Sequence, residues 1–151
     1  MKVQLRHLYQ HRYQRGAALV EFALVTSAGF IVVLFAVFEL GRLLFIFNTA
    51  NEATRLGARL AVVCDANATL IAQRMSQLLP QLNASTVNLQ YDPPSCAADS
   101  ATARATCRSV TVSVKPGTMV NTYIPLLNFS VEIPPFATTL TREAMDSTSC
   151  I

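Results

Sequence analysis

The chain has 151 residues, enough for one domain, with a hydrophobic fraction of 52% and a charged fraction of 14%. An ordinary soluble domain has about 45–50% apolar and about 25% charged residues, so this composition points to a chain that is not wholly soluble. The net charge of +3 does not mark a nucleic-acid binder. Lys2, Arg6, Arg12 and Arg15 supply the excess before the first acidic residue, Glu21, and the rest of the chain is close to neutral with no basic stripe.

Residues 1–16 form a polar, basic arm that reads as a cytoplasmic flank under the positive-inside rule. An apolar run follows, nearly unbroken to Phe47. Its centre, "FALVTSAGFIVVLFAVF", carries no charge between Glu21 and Glu39. Together with Ala17–Val20 it reaches the ~20 residues needed to cross the hydrocarbon. At its far end, "FELGR" sets Glu39 and Arg42 three residues apart, a spacing at which they can pair on a helix.

The helix is predicted to continue to about Val63. Ala50, Ala53, Leu56, Gly57, Leu60, Ala61 and Cys64 follow helical spacing, with Asn51, Glu52, Arg55 and Arg59 largely on other faces. The first half is apolar all round, whereas the second half is amphipathic and needs something to pack against. A second helix is expected in "CDANATLIAQRMSQLLPQL", capped by Asp65 or Asn67, with Ile71, Met75, Leu78 and Leu79 on one face and Pro80 at its end.

The period then changes to two. "TVNLQY", "RSVTVSVK" and "NFSVEI" alternate apolar and polar residues and read as half-buried antiparallel strands. "MVNTYI" and "ATTLTREAM" are weaker strand candidates. The expected class is α+β: a long N-terminal transmembrane helix running into an amphipathic one, a second short helix, and a small antiparallel sheet forming a head. The domain reading is 1–16 leader, 17–47 membrane and assembly helix, 48–151 head.

All four cysteines, Cys64, Cys96, Cys107 and Cys150, lie beyond the apolar run. With the basic arm in the cytoplasm they face an oxidising compartment, where disulfides are expected. The favoured pairs are Cys96–Cys107 and Cys64–Cys150, with the other two connectivities open. The intervening "AADSATARAT" is polar and reads as a loop without core residues. No CxxC occurs, and both histidines, His7 and His11, lie in the basic arm, so no metal and no thiol catalysis is expected. Glu132, Glu143 and Asp146 read as solvated surface, and the sequons at Asn67, Asn83 and Asn128 as chance. No phosphate loop, nucleophile elbow or cofactor motif is present, so the expectation is a non-enzyme with no small-molecule substrate.

The start of the apolar run admits three readings. A cleaved signal peptide would use "TSA" at 26–28, but Glu21 interrupts its core and the run continues well past Ala28. An uncleaved anchor on a periplasmic scaffold or binding protein unrelated to pili is the alternative. The third reading rests on "RGAALVEFALV", in which Gly16 closes the basic arm and Glu21 is the fifth residue after it. This stretch, the long apolar helix and "FELGR" resemble the leader of a type IV prepilin, and more closely the TadE-like minor pilins of tight-adherence (Flp) pili. "NEATRLGARLAVV" and "VTVSVKP … FATTLTREAM" are similar to the helix and closing segment of that family, while 82–106 resembles nothing recognised.

The resemblance implies cleavage between Gly16 and Ala17 by a prepilin peptidase. It also implies a role for Glu21 in neutralising the new Ala17 ammonium, of a neighbouring subunit or of its own chain. A charge in lipid is costly unless paired. The implied partners are the inner membrane, other pilins and the pilus assembly platform. The implied location is a single-pass inner-membrane protein with a periplasmic head.

Overall fold

The computed structural model describes residues 2–124 and 129–146, and the side chains among them except those of 2–15 and Ala68. The elements in chain order are α1 (Lys2–Val63), α2 (Ala68–Leu78), β1 (Val87–Asp92), a 3-10 turn (Cys96–Ala98), α3 (Ser100–Thr106), β2 (Ser109–Val114), β3 (Met119–Asn121), β4 (Ser130–Glu132) and β5 (Ala137–Thr141). The α+β class read from the sequence holds. Packing divides the chain into two units, Met1–Gly41 and Arg42–Ile151.

The first unit is helix. Its large apolar side chains, among them Leu19, Phe22, Phe30, Val33 and Phe38, are exposed. A helix apolar on every face has no packing direction of its own in water. Over Gly16–Val63, α1 is long and apolar enough to cross a membrane, by length and composition. Glu39, near the end of this unit, is by contrast buried.

The second unit begins at Arg42 and holds the core. Along this part of α1 the buried positions are Ile46, Ala50, Ala53, Thr54, Gly57, Ala58, Ala61 and Val62. Their side chains are mostly small, which lets the helix lie close to its neighbours. α2 presents Ile71, Ala72, Met75 and Leu79 to the same core. Leu78, expected on that face, is exposed, and Ala72, next to Ile71 and one turn before Met75, is buried in its place. Asn67 Oδ1 accepts the Leu70 N–H at 3.0 Å and so caps α2. Asp65 is used elsewhere.

β1, β2 and β5 form one antiparallel sheet in the order β1-β2-β5. The register sets Leu89 opposite Val112 and Val112 opposite Thr138. Val110, Val112 and Val114 are all buried, as the alternation in "RSVTVSVK" requires. β3 and β4 form a separate hairpin, with Val120 opposite Val131. Val120 and Ile133 anchor it in the core. Burying a side chain such as Ile71, Leu82 or Ile133, each fully inaccessible, contributes roughly 1.5–3 kcal/mol.

The segment between Cys96 and Cys107 departs from the sequence expectation. It is not a featureless loop but a short helix, α3, whose Ala103 is completely buried. Asp99 caps it, accepting from Thr102 N–H at 2.8 Å and from the Thr102 hydroxyl at 2.6 Å. Ala103 packs with Cys96, Cys107 and Met145 in a small satellite core.

"ATTLTREAM" is also only half strand. β5 stops at Thr141, and the chain then crosses to the end of α1. There Glu143 N–H and Met145 N–H reach Val62 O, each at 3.2 Å, and Asp146 N–H reaches Val63 O at 2.8 Å. These bonds satisfy carbonyls that a helix end leaves without intrahelical partners.

Candidate processing and assembly site

Gly16, Ala17 and Glu21 all lie on α1 and are exposed. Ala17 and Glu21 are four residues apart, one helical turn, so they share a face. A Cβ built on Gly16 would meet nothing within 4 Å, so no contact among the described residues requires the glycine. Its effect is on the backbone: glycine in a helix costs about 1 kcal/mol relative to alanine, which makes this turn easier to open. Glu21 stands among Leu19, Val20, Phe22 and Leu24, all exposed apolar side chains.

Cys96 and Cys107 are disulfide-bonded, with their Cα atoms 5.1 Å apart. Cys64 is buried and also disulfide-bonded. Its expected partner, Cys150, lies outside the described residues, as does the sequon residue Asn128. The other two sequon asparagines have local structural work. Asn67 caps α2, and Asn83 Oδ1 accepts from Ser85 N–H at 2.8 Å. Among the described residues no group of three or more His, Cys, Asp or Glu side chains is arranged to hold a metal ion.

Two clusters in the second unit carry no local sequence signal. In the first, Arg104 on α3 lies 3.4 Å from Asp65 and 3.7 Å from Asp146. It thereby draws together the α1–α2 connection, α3 and the C-terminal segment, and Arg142 donates to the Arg104 carbonyl. The three side chains are partly solvated, so each pair contributes at most about 1 kcal/mol. In the second, Arg42 donates to the Asn121 carbonyl, and its guanidinium carbon lies 4.4 Å from the centroid of the Tyr123 ring. The segment "MVNTYI" marks the strand but not this contact, because the pair is separated by about eighty residues of chain. Tyr91, wedged between the main and satellite cores, has its phenol pushed up from its ordinary pKa by burial.

These observations define a class: a protein with an N-terminal helix long and apolar enough to cross a membrane, a small disulfide-bonded α+β unit, and a carboxylate one turn into the apolar stretch. Residues 16–59 match the family model described as TadE-like protein. The match begins at Gly16, includes Glu21 and ends at Arg59, so it lies wholly on α1. Over that segment the chain is similar to the TadE-like family, as its first forty residues led us to expect. No curated protein and no solved structure matches the chain.

Proposed function

We propose that this protein is a minor pilin-like subunit of a tight-adherence (Flp-type) pilus. On this reading it is made as an inner-membrane precursor with its head in the periplasm, and a prepilin peptidase cuts it between Gly16 and Ala17. It then assembles with other pilins through α1, acting as a structural subunit and not as an enzyme. The observation that carries the reading is the TadE-like match, which starts at Gly16 and takes in Glu21.

The chemistry supports the same reading. Cleavage would create an ammonium at Ala17, one turn from the Glu21 carboxylate. In an apolar bundle each charge needs the other or an equivalent partner. The exposed apolar surface of α1 between Leu19 and Phe38 suits lipid in the precursor and neighbouring helices in an assembly. The head is closed by its own core and two disulfide-bonded sites, so it can fold before assembly.

The test is the N-terminal residue of the protein recovered from the membrane fraction. Mass spectrometry is expected to find Ala17. A protein beginning at Met1, or after Ala28, would overturn the proposal in favour of an uncleaved anchor or a signal peptide. Gly16→Phe is expected to accumulate as uncut precursor with a normally folded head.

A further inference from the structure

Beyond β5, residues 142–146 form a strap across the end of α1. On one side the strap is held by backbone bonds from Glu143, Met145 and Asp146 to the carbonyls of Val62 and Val63. On the other side it meets the segment from Cys96 to Cys107. Met145 is completely buried and packs with Cys96, Ala103 and Cys107. Arg104 of α3 pairs with Asp146 at 3.7 Å, and Arg142 donates to the Arg104 carbonyl.

Neither partner in this contact holds its shape by local preference. Met145 has a φ of 48°, in the left-handed region that a residue with a Cβ enters at a cost. Such a conformation persists only where the surroundings over-determine it. The 96–107 segment is equally dependent on support. Its helix, α3, has seven residues and one buried side chain, Ala103, far short of the roughly 12–15 residues at which an isolated helix is even marginal. The bonded Cys96 and Cys107, each 2% exposed, supply most of the buried surface on which Met145 rests.

We propose that the Cys96–Cys107 disulfide is a redox-controlled latch: its formation seats Met145 and docks the 142–146 strap on the end of α1, and its reduction releases the strap while the sheet stays folded. Closing the latch takes two electrons and two protons from the Cys96 and Cys107 thiols. A disulfide oxidant accepts them by thiol–disulfide exchange and leaves as a dithiol. When the bond is reduced, the 96–107 segment regains chain freedom, Met145 loses its seat, and its left-handed backbone relaxes. The Val62 and Val63 carbonyls then open to water, as helix-end carbonyls do without a partner. The end of α1 is thus capped in an oxidising compartment and open in a reducing one. All of these residues lie between Arg42 and Ile151, and the latch does not depend on the pilus reading.

Cys64 is also disulfide-bonded, so a reductant acts on more than the latch, and substitution isolates it. In the full chain in detergent, Cys96→Ser with Cys107→Ser is expected to lose hydrogen-exchange protection at Glu143, Met145 and Asp146 together with Ala103. Val110, Val112 and Val114 in β2 should stay protected. Strap amides that remain protected when Ala103 opens would overturn the proposal, as would undiminished protection at Ala103. The second variant keeps both cysteines. Coupling between two sites is reciprocal at equilibrium, so a strap held by the disulfide must in turn favour it. In glutathione buffers, Met145→Ala is expected to lower the equilibrium constant for Cys96–Cys107 oxidation by about tenfold, read by alkylation and mass mapping of the two cysteine peptides. A constant equal to the parent's would overturn the proposal. If the double serine variant loses β2 along with the strap, this constant decides. Loss of β2 protection in both variants would also overturn the latch, because the strap would then belong to one cooperative core.

Discussion

Gly57 on α1 faces Met75 on α2 so closely that a Cβ on the glycine would stand 2.6 Å from the methionine sulfur and 3.2 Å from Val112 Cγ1. One position therefore sets the spacing of α1 from both α2 and the sheet. Met75 and Val112 are fully buried, so neither can swing out to water. Alanine at 57 gains up to about 1 kcal/mol in helix propensity and loses roughly 1–3 kcal/mol to overpacking. We expect Gly57→Ala to destabilise the head by about 1 kcal/mol and Gly57→Val by more. The loss should shrink when Met75 is replaced by the shorter Val, since the two sites share one contact. Urea unfolding of the full chain in detergent, followed by near-ultraviolet dichroism, measures it. A Gly57→Ala head more stable than the parent would contradict this account.

The Cys96–Cys107 bond closes a short segment whose only fully buried side chain, besides the cysteines, is Ala103. Closing a loop of this size contributes about 2–3 kcal/mol by restricting the unfolded chain. Cys96→Ser with Cys107→Ser should therefore lower the unfolding free energy by about that amount and release α3 first. Hydrogen exchange would show protection lost at Ala103 and Cys107, whose N–H groups bond to Asp99 O and Ala103 O, before it is lost in β2. Unchanged protection in α3 would show that packing on Met145 suffices.

Asp99 makes the same helix sensitive to acid. The Thr102 hydroxyl and then the Thr102 N–H hold its carboxyl below its ordinary pKa, which is about 3.9. A depressed folded value means that the cap's contribution is complete above the ordinary aspartate value and is lost as pH falls through the lowered one. The Thr102 amide proton shift should titrate with a midpoint below that of an unstructured aspartate, and Asp99→Asn should abolish the titration. A midpoint at or above the ordinary value would remove the cap from the account of α3.

What could be read in the sequence was what burial repeats locally. The alternation of Val110, Val112 and Val114 and the helical spacing of Ala50, Ala53 and Ala61 each follow from one face being inside. The TadE-like stretch was legible because its residues are contiguous in the sequence. What escaped depends on distant partners. α3 is rich in Ala, Ser and Thr and has a single inward residue, so its pattern is too weak without Cys96, Cys107 and Met145 around it. The turn of 143–146 onto Val62 and Val63 has no local signal, because the acceptors are the end of a helix some eighty residues earlier. The same holds for Arg42 and Tyr123. The sheet order β1-β2-β5, which skips the β3–β4 hairpin, is likewise a property of the packed chain and not of any one strand.

Glu21 is the residue on which the proposed function turns. It lies in the first unit, five residues beyond Gly16, and the head's core is built entirely from Arg42 onward. Its loss should therefore leave the head folded and both disulfide-bonded sites intact. Cleavage should also proceed, since the scissile bond lies a full turn away. The effect should fall on association. In an apolar bundle the attraction between Glu21 and an Ala17 ammonium is weakly screened, and removing one member of a buried pair costs about 3–5 kcal/mol because the other is left unpaired. That corresponds to association weaker by roughly a hundredfold or more. Glu21→Leu is expected to be inserted and cut normally, yet to lose crosslinking and co-purification with other pilins and the piliation that depends on it. Glu21→Gln, similar in size but without charge, should fail nearly as badly, whereas Glu21→Asp should keep partial activity by retaining the charge at shorter reach. The assay is piliation and crosslinking on variants first shown by mass spectrometry to begin at Ala17. Normal piliation by processed Glu21→Leu would show that the carboxylate plays no part in assembly.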